Sequence, residues 1–317
     1  MNQAIDIVLP VFGLIGIGYA AAWGRILPEG GDQALADFCY NIAIPLLIFK
    51  VVATADFSGG SPWALWAAYY FAFAVMWTAG TFLVRRLFRR DARAGLVAGV
   101  SSSYGNVLLV GVPLILSAYG DQGTAAITLL IAIHLPIMMG VSAVLIERAL
   151  IVDGLSDGTH VRAIAMSVAR SLLLNPVILG LFAGILWRLT GLGISGPGGT
   201  VVDRLGNVAA TVALVSVGMN LRKYGIHGNV RAALIVGSLK LIVMPALVLL
   251  LVVYVVALPP VWAKAIVLAA ACPTGVNAYV VASRFRTGEA LSSNAITLTT
   301  ALAVLTVALW LHVLAGI

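Results

Sequence analysis

"SSSYGNVLLVGVPL", residues 101–114, interrupts one of the most apolar regions of the chain. Three serines, a tyrosine, a Gly-Asn pair, a second glycine and a proline are poor material for an unbroken helix. Yet the surrounding run, 94–119, is long enough to cross a bilayer, which takes about 20 mostly apolar residues. In hydrocarbon, non-helical backbone is tolerated only where its freed N–H and C=O groups line a cavity or bond to other protein. The stretch therefore predicts a broken membrane helix with a partner.

Composition agrees with the membrane reading. Of 317 residues, 61% are hydrophobic and 10% charged, with mean hydropathy +1.05. Soluble domains average about 45–50% apolar and about 25% charged residues. Ten spans are predicted, at 5–23, 32–54, 62–84, 94–119, 122–146, 173–190, 202–221, 231–257, 261–283 and 289–315. A β-barrel would instead show alternating segments of about ten residues. The first apolar run ends in Ala20-Ala21-Ala22, as a signal peptide does, but no Lys or Arg precedes it and Asp6 stands in the basic region's place. It reads as a retained helix.

The 19 basic residues set the expected orientation. Fourteen fall in the connections after odd-numbered spans, including Arg85, Arg86, Arg89, Arg90 and Arg93; four fall after even-numbered ones; Lys240 lies inside the eighth span. Basic loops face the cytoplasm, so both termini are expected outside. These clusters suit anionic lipid and exclude nucleic acid as the partner of a basic chain. Cys39 and Cys272 both fall in apolar spans and read as buried free thiols, not a disulfide.

The ninth span repeats the interruption of the fourth. "ARAGLVAGVSSSYGNVLLVGVPLILSAYGDQG" and "WAKAIVLAAACPTGVNAYVVASRFRTGEA" each open with small residues, break at a polar Gly-containing patch and end at a Gly-acid pair, Gly120-Asp121 or Gly288-Glu289. The offset is 168–170 residues, about half the chain. Five spans per copy make the repeat inverted, with residues 1–150 and 151–317 as the two halves. Matching breaks in inverted halves point to discontinuous helices meeting near the midplane. Taken singly, either break reads equally as a kink, since Gly and Pro are common in membrane helices.

These residues resemble the auxin efflux carrier family, within the bile acid/arsenite/riboflavin transporter superfamily. The likeness covers the whole chain and rests on "NIAIPLLIFKVVATADF", "GNVLLVGVPLI", "NPVILGLFAGIL" and "CPTGVNAYVVASRF". It implies an all-α integral membrane fold of ten helices in two inverted repeats. Helices 1, 2, 6 and 7 would form a scaffold, and 3–5 and 8–10 a transport domain in which helices 4 and 9 cross. It also implies a multi-pass carrier of the bacterial inner membrane, with substrate bound beside the crossover. Asn106 matches the family's crossover asparagine and Pro45 its helix 2 proline. Thr211 stands where helix 7 of the family often has proline, which puts the bend of that helix in question.

The twelve acidic residues fall in loops or near helix ends, with none at the centre of a span. Buried carboxylates mark cation pathways in membranes. A crossover of amides, hydroxyls and helix ends suits an organic anion better, and half-helix N-termini attract anions. The expected site comprises Tyr104, Gly105, Asn106, Gly111, Pro113, Pro273, Thr274, Gly275, Asn277 and Tyr279, with Asn41 and Ser216 as scaffold-side contacts. Gly105, Gly111 and Gly275 ease departure from helical geometry, and Pro113 and Pro273 remove backbone donors. Lys240 and His134 are candidates for charge or proton coupling. The structural alternatives are a snorkelling or carbonyl-bound lysine and a satisfied core histidine. No metal or cofactor is expected. "GLVAG" (95–99) and "GLFAG" (180–184) read as close helix packing, and 160–172 as an interfacial helix or a linker.

Two other function classes fit the composition. An enzyme would need a zinc-binding His-Glu-x-x-His, a nucleophile elbow or paired buried aspartates, and the sequence has none. A channel or sensor of the same fold remains open, as do substrate identity, direction of transport, coupling ion and the homodimer that the scaffold would allow.

Overall fold

The computed structural model describes residues 2–317 except 27, 29, 56, 58, 59, 155–165, 167, 168, 227 and 229. Apart from one isolated bridge, the regular structure of the described residues is helical: α1 (Asn2–Trp23), α2 (Gly31–Thr54), α3 (Pro62–Phe88), α4 (Ala92–Ser103), α5 (Val107–Val152), α6 (Pro176–Leu189), α7 (Gly196–Tyr224), α8 (Val230–Tyr254), α9 (Pro260–Ala270), α10 (Asn277–Arg284) and α11 (Glu289–Ala315). Seven of these, α1, α2, α3, α5, α7, α8 and α11, are long and apolar enough to cross a membrane.

The difference between seven long helices and ten expected spans has local causes. The fourth span is cut at Tyr104–Asn106 and the ninth between α9 and α10. The sixth span is the 14-residue α6. The second half of the fourth span continues into the fifth as α5, interrupted only at Gly120 (φ 60°, ψ −151°). Those dihedrals are open to glycine and closed to side-chain-bearing residues, so Gly120 permits a change of direction without a loop. Helix α7 runs unbroken past Thr211. Most of the proposed interfacial helix, 160–165, 167 and 168, lies outside the described residues.

Three π-helical segments occur, Cys39–Ala43 in α2, Val107–Gly111 in α5 and Leu239–Val243 in α8. Each is followed two residues on by a proline: Pro45, Pro113 and Pro245. Proline lacks the N–H that would close the preceding turn and its ring crowds that turn's carbonyls. Widening the helix by one residue accommodates the ring without ending the helix.

Small residues decide which helices touch. Helices α1 and α7 approach at Gly18 and Gly218: a Cβ on Gly18 would collide with the Val215 carbonyl and one on Gly218 with that of Ile15. Helices α2 and α6 approach at Gly180 and Gly184, whose Cβ atoms would strike the backbone of Pro45 and Phe49. Helix–helix association in lipid relies on such close backbone contact. Helices α4, rich in Ala, Gly and Ser, and α9, rich in Ala, are short and buried along almost their whole length. By contrast α1, α3 and α6 turn Leu9, Phe82 and Leu186 outward, each more than half exposed, an arrangement that only lipid makes tolerable.

Gly218→Ala should lower stability by about 1–3 kcal/mol, because the added methyl must push two backbones apart. Gly13→Ala, in the partner helix α1 but with nothing within 4 Å of the new Cβ, should not lower the melting temperature in detergent, since alanine is the better helix former.

Candidate functional site

The two breaks meet. Gly105 and Thr274 form an antiparallel bridge. The Asn106 N–H donates to the Pro273 carbonyl at 2.7 Å, and the Gly275 N–H to the Tyr104 carbonyl at 2.9 Å. Helix α4 ends because Tyr104 turns extended (φ −83°, ψ 110°). Pro273 has no N–H to continue α9. Glycine is needed on both sides: a Cβ on Gly275 would sit 2.7 Å from the Tyr104 ring, and one on Gly105 3.2 Å from Lys240 Nζ.

Side chains complete the satisfaction of the backbone. Thr274 Oγ1 donates to the Ser101 carbonyl at 2.8 Å, which α4 leaves unpaired by ending early, and the Thr274 N–H donates to Thr299 Oγ1 of α11 at 2.9 Å. Ser101 and Ser103 donate back to Val97 and Gly99, and Ser102 to Met76 of α3 at 2.9 Å. The serines are thus structural. Asn106 caps α5 by accepting from the Leu109 N–H at 3.3 Å, and among the described residues its amide nitrogen donates to none. Asn277 Nδ2 donates to the Tyr104 hydroxyl at 2.9 Å, which ties α10 to the opposite break. Gly111 and Pro113 are buried in the first turns of α5, with Gly111 against Cys272 and Ile127.

Lys240 enters from the π-helical turn of α8. It is wholly buried and donates to the Ala270 carbonyl at the end of α9. It does not snorkel, and among the described residues it has no carboxylate partner. Its helix is held by a compensating bond. Pro245 cannot donate to the carbonyls one turn earlier, and one of these, on Leu241, accepts from Trp310 Nε1 of α11 at 2.8 Å.

His134 of α5 lies flat on Tyr104, with ring centroids 4.6 Å apart and an 8° interplanar angle. Its Nδ1 is 3.3 Å from the Tyr70 hydroxyl, while its Nε2 and the Tyr69 hydroxyl are buried without partners. Tyr69, Tyr70 and Phe73 of α3 wall this box. Sequence reasoning missed these three; the crowded "YYFAF" (69–73) was the available signal.

Other expected site residues lie elsewhere in the fold. Tyr279 packs edge-to-face on Tyr224 of α7, 5.1 Å between centroids. Asn41 is exposed on α2 and donates to the Asp37 carbonyl at 2.9 Å. Ser216 is fully buried in α7 and accepts from Asn220. A polar pair not foreseen joins α2 to α6: Asn175 caps α6 with its carbonyl oxygen and donates to the Tyr40 hydroxyl at 2.5 Å. Cys39 and Cys272 are buried free thiols.

The two broken segments thus satisfy each other beside a buried lysine, and sequence comparison gives the family. The model of a family described as membrane transport protein matches residues 3–311. The chain belongs to that family. This is the auxin efflux carrier resemblance carried by the motifs. Two relatives match end to end. One, from Rhizobium meliloti (strain 1021), carries the name "Putative malonate transporter"; it is 28% identical over 97% of this chain and 94% of its own length. The other, from Methanothermobacter thermautotrophicus, is named "Uncharacterized transporter" and is 26% identical over 98% of both chains. Family and relatives are transporters, not enzymes.

Thr274→Val should cost about 1–3 kcal/mol, since it leaves the buried Ser101 carbonyl without its donor. Thr274→Ser, which keeps the hydroxyl, should recover most of the melting temperature.

Proposed function

We propose that the protein is a secondary carrier moving a small organic anion, a mono- or dicarboxylate of malonate, malate or auxin type, by alternating access. The observation that carries this reading is Lys240: a wholly buried amine beside Gly105 with a carbonyl as its protein partner. A buried cation is costly without a counter-charge, and an anionic substrate at the crossover supplies one. The amide nitrogen of Asn106 and the leading N–H groups of α5 (Val107, Leu108) and α10 (Asn277) are the neighbouring donors; those of Leu109, Ala278, Tyr279 and Val280 are already taken. Thr274, Gly275, Asn277 and Tyr104 shape the same corner. A relative named for malonate supports the substrate class.

The inverted repeat, 1–150 and 151–317, provides the moving parts. Helices α1, α2, α6 and α7 make the scaffold; α3–α5 and α8–α11 carry the site. Two features support this division. The breaks are offset by half the chain, and the α1–α7 and α2–α6 glycine contacts exchange with each other when first-half spans are swapped for their second-half counterparts. The substrate would pass as α4/α5 and α9/α10 shift against the scaffold with their bridge intact. The basic-residue count supports termini outside the bacterial inner membrane. His134, stacked on Tyr104, is the group through which a proton would couple to substrate.

The test is uptake of labelled malonate, malate and indole acetate into proteoliposomes, with thermal shift of the purified protein as the binding readout. Lys240→Met should cut uptake about 10- to 100-fold, the factor equivalent to one charge-assisted hydrogen bond. Asn106→Ala should abolish the ligand-induced shift, with the baseline lowered only by the lost α5 cap, about 0.5–2 kcal/mol. Full uptake by a well-folded Asn106→Ala protein would remove the site, and a shift with neutral solutes or cations alone would remove the anion.

A further inference from the structure

A second binding feature lies away from the crossover and rests on none of the reading above. A groove of about 560 Å³ opens between α3, α4 and α5. Along α3 its lining steps by helical turns from Trp77 and Thr78, through Thr81 and Phe82, to Arg85 and Arg86; Arg90, Leu96 and Leu145 close it. At 1.5 Å per residue, the arginine end stands about 12 Å from the tryptophan end. One end is therefore cationic and the other apolar. Among the described residues none of the three arginines is in an ion pair. The stem of Arg85 lies over Gly95, where a Cβ would come within 2.5 Å of its Cγ. Gly95 thus lets the Arg85 stem lie against α4, while all three arginines are exposed.

The apolar end has polar groups without partners. Trp77 is 5% exposed, and neither its indole Nε1 nor the buried Thr81 Oγ1 makes a hydrogen bond. Both pack around Gly99 of α4. Those two atoms are closed off from the groove by this packing, and its accessible apolar wall is made by Phe82, Leu96 and Leu145.

We propose that this groove binds an anionic phospholipid. The phosphate would sit among Arg85, Arg86 and Arg90, for which guanidinium geometry is well suited. An acyl chain would lie along Phe82, Leu96 and Leu145. Free phosphate shares only the first of these contacts, and a zwitterionic lipid places a like charge near the arginines. An anionic lipid here would stitch the cytoplasm-facing ends of α3, α4 and α5 together.

The experiment is native mass spectrometry of the full-length protein in detergent, with phosphatidylglycerol, phosphatidylcholine or inorganic phosphate added, alongside melting curves. Phosphatidylglycerol should be retained at least about fivefold more than phosphatidylcholine and should raise the melting temperature, whereas phosphate should not. Arg85→Gln/Arg86→Gln/Arg90→Gln should remove that preference. Leu145→Trp, which keeps every charge and fills the groove, should lower retention of phosphatidylglycerol to the same degree, and it carries the test if the triple variant does not insert. Equal retention of the two lipids, a phosphate shift as large as the lipid's, or undiminished retention in Leu145→Trp would each overturn the proposal.

Discussion

The structure depends on one constraint: backbone groups freed inside a low-dielectric core must find partners in protein. Breaking one helix at Tyr104–Asn106 alone would leave several N–H and C=O groups unsatisfied, each costing kilocalories in hydrocarbon. Breaking a second helix opposite it turns two penalties into a joint. The Gly105–Thr274 bridge, Thr274 to Ser101, and Asn277 to Tyr104 are one network in which each break satisfies the other. Such a joint is cooperative, because loss of either half exposes both. Two half-helix N-termini, those of α5 and α10, begin at this joint. Their convergence follows from the satisfaction of the backbone and not from a separate device.

Much of this was legible in the sequence because the constraint writes itself in unusual residue types. Gly-Asn and Pro-Thr-Gly-Val-Asn stand out in a chain that is 61% hydrophobic, and their recurrence at half-chain offset singles them out from ordinary kinks. The glycine spacings at 95–99 and 180–184 were read as packing and do pack, against Arg85, Trp77 and Thr81 and against the backbone of α2. Span counting was less secure. The boundary expected between residues 119 and 122 falls at the kink at Gly120, but without a loop, since a glycine at positive φ changes direction within one continuous element.

What the sequence hid were contacts between elements far apart in the chain. Nothing local announces that His134 lies flat on Tyr104, or that Tyr69, Tyr70 and Phe73 wall the same box. Aromatic residues are ordinary core material in a membrane protein, and only the orphan His134 Nε2 and Tyr69 hydroxyl mark this cluster as unusual. Likewise Tyr279 sits two residues from Asn277 yet packs on Tyr224, because neighbours on a helix point about 100° apart.

The π-helical turn of α8 shows how a helix can deliver a buried charge to that joint. Widening at Leu239–Val243 precedes Pro245, and the carbonyl of Leu241 is capped from outside by Trp310. Pro245 has no N–H to give the Leu241 carbonyl a partner inside α8, and α11 provides the donor. Lys240 sits inside that turn, reaching Ala270 where α9 ends and lying beside Gly105 where α4 ends. The lysine is thus fixed by three elements, the π turn, the Trp310 cap and the α9 terminus. Moving the amine toward either membrane surface would undo its bond to the Ala270 carbonyl at the end of α9. A mobile, snorkelling lysine could stabilise a fold, but one fixed in this way presents its charge at a defined point, which is what selective recognition of an anion requires.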